Sequence, residues 1–256
     1  MHEVRAKKSL GQHFLTDETA LNAIVAAAEL SPEDHVLEIG PGTGAMTTIL
    51  AKEVQRLTAV EVDDRMIPLL TAMLSSYPGA RVIHGDFLRE KLDIAAPYKV
   101  VANLPYYITT PIMEALLTRQ PAPASITVLV QKEAALRMIA KPGGKDYGPL
   151  SLRVALWGKA AISLELGPEA FNPPPKVDSA LVHIAPDPTP GAEAAMAVAN
   201  VAFLQRRKQL GNALGGLGRP KDAVHVALAC CGIDSSRRPE TLTPQEYVAL
   251  GKALGL

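Results

Sequence analysis

The chain has 256 residues, 48% apolar and 20% charged, with a formal net charge of zero. Such a balance excludes extensive disorder and fits one large core or a main domain with a small satellite. No apolar run reaches membrane-spanning length and no charged-then-apolar leader is present, so a cytoplasmic protein with no membrane partner is expected.

Thr16-Asp17 can cap a helix running to about Leu30, with Leu21, Ile24, Val25 and Ala28 on one face. Residues 35–39 read as a buried first strand, and a glycine-rich turn leads into a helix over 45–52. Residues 57–62 form the second strand, and Met66, Leu69, Leu70 and Met73 mark the helix behind it. Further strands are expected at 81–84, 99–102 and 126–130, then a helix over 132–140 that ends at Lys141-Pro142-Gly143-Gly144. This alternation predicts an α/β fold with a mostly parallel sheet.

Residues 161–166 and 179–184 break the pattern and predict an antiparallel pair at one sheet edge, joined through Asn172-Pro173-Pro174-Pro175. A stiff linker over 186–191 precedes helices at 192–206, 223–231 and 244–254. The expected division is therefore a first domain over 1–186 and a helical domain over 187–256. Cys230 and Cys231 are adjacent, without metal or redox spacing, and read as buried small hydrophobes; no metal is expected.

The strand ending Glu38-Ile39 runs into Gly40-Pro41-Gly42-Thr43-Gly44. Glycines at this spacing let backbone approach a ligand closely and tolerate positive φ. Glu61 closes the next strand, placed for two ribose hydroxyls, and Asp86 follows the third strand, placed to accept an adenine amine. No basic residue sits beside the turn for a pyrophosphate, so S-adenosylmethionine fits better than NAD. The alternative makes Glu61 and Asp86 helix caps and the glycines a tight turn.

Asn103-Leu104-Pro105-Tyr106 follows an apolar strand and offers an amide, carbonyls and an aromatic ring. Such a set suits an amino group on a flat heterocycle: acceptors take its protons and the ring stacks on its face. Phe171 can cover the other face, whereas Tyr107 reads as a core aromatic; in the competing reading Tyr106 and Phe171 are core residues too. Basic residues cluster at Arg5, Lys7 and Lys8, at Arg206-Arg207-Lys208 and at Arg237-Arg238. They are candidates for RNA phosphates if they share a face, and solvated surface otherwise.

Four motifs in order, Ser9-Leu10-Gly11-Gln12-His13-Phe14-Leu15, Glu38 to Gly44, Asn103 to Ile108 and Phe171-Asn172-Pro173-Pro174-Pro175-Lys176-Val177, resemble the rRNA adenine dimethyltransferases, closely the bacterial KsgA (RsmA) type. The resemblance spans nearly the whole chain and is weakest in the helical tail, where Phe203 to Lys208 is similar. It implies a Rossmann-like class I methyltransferase sheet, mostly parallel with an antiparallel edge strand, and a small helical C-terminal domain that docks on rRNA.

By the same resemblance, His13 and Leu15 close over S-adenosylmethionine, and Gly40 approaches its methionine part. Glu61 holds the ribose, Asp86 the adenine, and Asn103 lies between cofactor and target. The implied reaction places four methyl groups on N6 of two adjacent adenosines near the 3′ end of small-subunit rRNA, within an immature subunit, with the enzyme a monomer. In that chemistry the Asn103 side-chain oxygen and the Leu104 carbonyl hold the N6 protons, Pro105 stiffens the turn, and Tyr106 stacks on the flipped base. A large-subunit, macrolide-resistance relative is the nearest rival, but such enzymes typically carry Ile where this chain has Leu104. A non-catalytic assembly factor and an NAD-dependent oxidoreductase are the rivals from other classes.

Overall fold

The computed structural model describes residues 6, 7 and 10–256, so Arg5 and Lys8 lie outside the described residues. The chain divides into two compact units. One holds the residues through Ala135 together with Ala161–Ala185; the other holds Leu136–Ala160 and Pro186–Leu256.

The first unit carries nine strands and five helices among the described residues. In chain order they are β1 (Phe14–Leu15), α1 (Glu18–Ala27), β2 (His35–Ile39), α2 (Ala45–Glu53), β3 (Arg56–Glu61), α3 (Ile67–Leu74), β4 (Ala80–His84) and β5 (Lys99–Asn103). After these come α4 (Thr109–Thr118), β6 (Ser125–Gln131) and α5 (Lys132–Met138), the last ending beyond Ala135. Past the chain's excursion into the second unit follow β7 (Gly158–Leu166), β8 (Phe171–Asn172) and β9 (Ser179–Pro186).

Seven strands form one sheet in the order β4-β3-β2-β5-β6-β9-β7. Pairing is parallel from β4 through β6 and antiparallel between β6 and β9. The chain winds outward from β2 through β3 to β4, then returns to start β5 on the other side of β2. That reversal opens a crevice at the carboxyl ends of β2 and β5, where ligands bind in such sheets. Every residue of β2 is buried, as expected for a strand covered on both faces. Asp17 caps α1 by accepting from the Ala20 amide at 2.9 Å, and Leu21, Ile24 and Val25 pack into the core.

The second unit is helical: α6 (Pro149–Trp157), α7 (Ala192–Leu204), α8 (Leu210–Ala213), α9 (Lys221–Cys230) and α10 (Pro244–Ala253). Leu152 and Leu156 of α6 share a core with Ala199, Leu228 and Leu250. The helical unit therefore extends the sequence expectation of 187–256 by residues 136–160, because α6 buries its apolar face there. Gly251 lets α10 lie close to α7, since a Cβ would come within 2.8 Å of the Ala194 backbone.

Three helices, α4, α6 and the short α8, are additional to those expected from sequence. Pro111 and Pro149 stand in the first turns of α4 and α6, where no amide partner is forfeited. The cysteine expectation also fails: Cys230 is exposed and Cys231 partly so, because α9 buries Val224, Ala227 and Leu228 instead. Among the described residues no helix is long and apolar enough to cross a membrane.

Candidate active site

The first unit holds a cleft bounded by residues 10–15, the glycine turn, the end of β3 and residues 103–108. Gly40, Gly42 and Gly44 all have positive φ, at 69°, 57° and 84°. A Cβ at Gly42 would meet the Phe14 ring at 3.0 Å, so glycine is required by conformation and by space. This tight backbone presents the Gly42 amide to Glu61, whose Oε2 accepts at 2.9 Å, while Oε1 accepts from the Asp63 amide at 2.8 Å. Glu61 is thereby fixed in orientation. Burial pushes its carboxyl up, with the two amides opposing. Each oxygen keeps a lone pair for a further donor. Next to it Val62, 47% exposed, offers an apolar surface to the cleft.

Glu38 also lines the cleft and is fully buried. Burial pushes its pKa up to about 8, opposed by the neighbouring Thr47 hydroxyl, although among the described residues no donor reaches either carboxylate oxygen in good hydrogen-bond geometry. A buried, unpartnered acid is costly unless a cationic ligand completes it. From sequence alone Glu38 carries no assigned role, although a signal is there: an acid in an otherwise apolar strand.

The segment before β1 roofs the cleft. Gln12 donates to Asp63 at 2.9 Å, and Asp63 also accepts from Arg65 Nε at 2.9 Å and pairs with Lys7 at 3.6 Å. The Arg65 guanidinium holds the Asp63 carboxyl well below the usual range. His13 Nδ1 donates to the Pro173 carbonyl at 2.7 Å, and the His13 ring stacks on Tyr106 with centroids 5.7 Å apart.

Asn103 ends β5 with its amide nitrogen directed to the His13 carbonyl at 3.4 Å, so the side-chain oxygen is left as an acceptor. The Leu104 amide donates to the Leu129 carbonyl, which locks this residue to the sheet. Pro105 follows, and its carbonyl is occupied by the Ile108 amide and the Thr109 hydroxyl. Tyr106 lines the cleft with its hydroxyl on Ser179 Oγ at 2.6 Å, and burial pushes the phenol up.

The structure brings His13, Leu15, Gly40, Glu61, Asn103, Leu104, Pro105 and Tyr106 to this one cleft. It does not bring Phe171. That ring is 3% exposed, stands opposite Leu15 in the β1–β8 pairing and belongs to the hydrophobic core, so the stacking role is corrected to packing. Asp86 is likewise absent from the cleft lining. Its Oδ1 caps the Leu88 amide at 3.0 Å and its other oxygen pairs with Arg89 at 3.4 Å, the capping alternative. Tyr107, expected in the core, is instead 56% exposed and lines the cleft, packed against Gly11.

Of the basic candidates, Lys7 is paired with Asp63. Arg206 is half-buried, donating to the Gly144 carbonyl at 3.2 Å and facing Glu240. Arg207 and Lys208 are exposed.

Comparison with known proteins gives a consistent picture. Residues 3–254 match the family model for ribosomal RNA adenine dimethylase. The chain is 40% identical to the ribosomal RNA small subunit methyltransferase A of Geobacter sulfurreducens, covering 98% of this chain and 96% of that protein. It is 43% identical to the protein of the same name from Dehalococcoides mccartyi, over 97% and 88%. Among solved structures it is similar to a dimethyladenosine transferase from Plasmodium falciparum, with a TM-score of 0.81, 25% identity and 93% and 96% coverage. The 23S rRNA methyltransferase ErmE gives 0.71, 27%, and 95% and 100%.

Proposed function

The chain belongs to the ribosomal RNA adenine dimethylase family, and we propose that it transfers methyl groups from S-adenosylmethionine to N6 of two adjacent adenosines in the 3′-terminal hairpin of small-subunit rRNA. It acts during ribosome biogenesis in the cytoplasm, as a monomer, on an immature small subunit. The small-subunit reading is favoured over the large-subunit one by 40–43% identity to the small-subunit relatives against 27% to ErmE, and by Leu104 after the motif asparagine.

The residues present fit the cofactor. The glycine turn lines the cleft without side chains at Gly40 and Gly42, Glu61 can accept from ribose hydroxyls, and Val62 can lie against a purine. The orphaned Glu38 carboxylate suits the ammonium of the methionine part. Bound there, S-adenosylmethionine supplies an electrophilic methyl group on a sulfonium.

The observation that carries the reading is the asymmetry of Asn103: its donor end is tied to His13 and its acceptor end is free for the target. The N6 lone pair of adenine is delocalised into the ring, which makes the amine a poor nucleophile. Acceptance of its protons by Asn103 Oδ1 and the Leu104 carbonyl favours a pyramidal nitrogen. Tyr106 holds the extruded base by stacking, typically worth about 1–3 kcal/mol per base. Once methylated, the nitrogen is cationic and strongly acidic and releases one N6 proton to solvent, so no strong general base is needed, and alignment supplies much of the acceleration. In the second unit Arg207 and Lys208 contact rRNA phosphates.

Methyl transfer from labelled S-adenosylmethionine to immature small subunits, followed by nucleoside mass analysis, tests this reading. Dimethyladenosine at two neighbouring positions is the expected result. Modification of large-subunit rRNA instead, or tight binding without transfer, overturns it.

A further inference from the structure

The hydroxyl of Tyr106 is tethered to a residue outside every motif so far given a function. Ser179 is fully buried, opens β9, and stands opposite Gln131 in the antiparallel pairing with β6. Its Oγ lies 2.6 Å from the Tyr106 oxygen. The anchor therefore sits on the sheet, not on a loop, which is where a precisely held group belongs. On the ring itself, His13 stacks at an interplanar angle of 21°. His13 is in turn held by Pro173: a carbonyl can only accept, so Nδ1 carries the proton and the imidazole is fixed in place. Two stretches remote in sequence, at His13 and at Ser179, thus meet on one aromatic ring, and Pro173 holds the first of them.

We infer that Ser179 is a positioning residue for methyl transfer: it sets the tilt of Tyr106, with His13 backing one face, so that the target base can stack on the other. The inference rests on the proposed function and on Tyr106 as the stacking platform. Tilt matters because the acceptor, Asn103, lies three residues upstream on the rigid end of β5. A change in base plane therefore moves N6 relative to the Asn103 oxygen, and small misplacements are costly when alignment drives the reaction. The demand is greatest for the second transfer, in which a bulkier methylamine must aim the nitrogen lone pair with only one N–H left to be held.

The test compares Ser179→Ala, Tyr106→Phe, their combination and Tyr106→Ala on immature small subunits. Steady-state kinetics are read together with the ratio of monomethyl- to dimethyladenosine. Each single hydroxyl deletion is expected to lower kcat about tenfold, the equivalent of about 1.4 kcal/mol. KM for S-adenosylmethionine should be unchanged and monomethyladenosine should accumulate. The double variant should be no worse than either single one, because one hydrogen bond is removed in all three.

Losses that multiply in the double variant overturn the inference. So does an unchanged kcat and product ratio in Tyr106→Phe, which deletes the same bond even if Ser179→Ala fails to fold. Full activity of Tyr106→Ala would remove the platform itself and count against the reading on which the inference rests.

Discussion

Asp63 and Gln12 are joined by a 2.9 Å hydrogen bond that ties the roof of the cleft to the loop following Glu61. The Asp63 side chain is buried, its amide orients Glu61, and its carboxylate gathers Gln12, Arg65 and Lys7. One residue thus connects the candidate ribose acceptor to the segment lying over it.

Asp63→Ala should loosen that roof while leaving the reacting groups in place. The expected outcome is S-adenosylmethionine affinity weakened about tenfold by calorimetry, and stability reduced by about 1–3 kcal/mol for removal of the buried acceptor. Because the carboxyl is held below its ordinary value of 3.8, its stabilising share is present above that pH and is lost as pH falls towards the depressed folded value. Unchanged affinity would show that the roof is held by other interactions.

Glu38 predicts the opposite sign. Its folded pKa of about 8 lies above the ordinary 4.5, so between these values the folded state binds more protons than the unfolded one. Stability of the ligand-free protein should therefore fall as pH rises from 4.5 to 8, by at most about 1.4 kcal/mol per unit from this group. Glu38→Gln should flatten that slope in urea titrations, raise stability at pH 8, and weaken S-adenosylmethionine binding. Stabilisation without loss of affinity would remove Glu38 from the cofactor site.

Asn103→Ala tests the chemistry directly. Cofactor affinity should stay within a few-fold of wild type, since the glycine turn, Glu38 and Glu61 remain, while turnover is abolished. Unchanged methylation by this variant would defeat the mechanism. A rise in KM alone would make Asn103 a binding residue.

The parallel sheet was legible because β2, β3, β5 and β6 are short apolar runs bounded by glycine, proline or charge, and because the winding order follows from alternation with helices. Cleft residues were legible where chemistry and local conformation coincide, as at Gly42, Glu61 and Asn103. What stayed hidden depends on neighbours remote in sequence. Phe171 faces the core because β8 pairs with β1, more than 150 residues upstream, and no local pattern encodes that pairing. Glu38 reads as one motif letter until folding shows a fully buried carboxylate without a hydrogen bond of good geometry among the described residues. Helix α6 leaves the first unit because its apolar face matches α7, a match visible only after folding.

The basic triplet separates by the same kind of neighbour. Arg206 faces Glu240 and the Gly144 carbonyl within the helical unit, whereas Arg207 and Lys208 are exposed. Replacing Arg207 and Lys208 with alanine should weaken subunit binding and reduce the dependence of log affinity on log salt by about one for each phosphate no longer neutralised. Folding stability should change by less than about 0.5 kcal/mol, as for ordinary surface positions. Arg206→Ala should do the reverse, lowering the melting temperature with little effect on the salt slope, because its guanidinium is engaged inside the unit. Equal salt slopes for wild type and the Arg207/Lys208 variant would exclude this pair from the rRNA-binding surface and direct the search to Arg237 and Arg238. Of these, Arg237 is already paired with Glu246 at 2.5 Å, which leaves Arg238 as the stronger phosphate candidate.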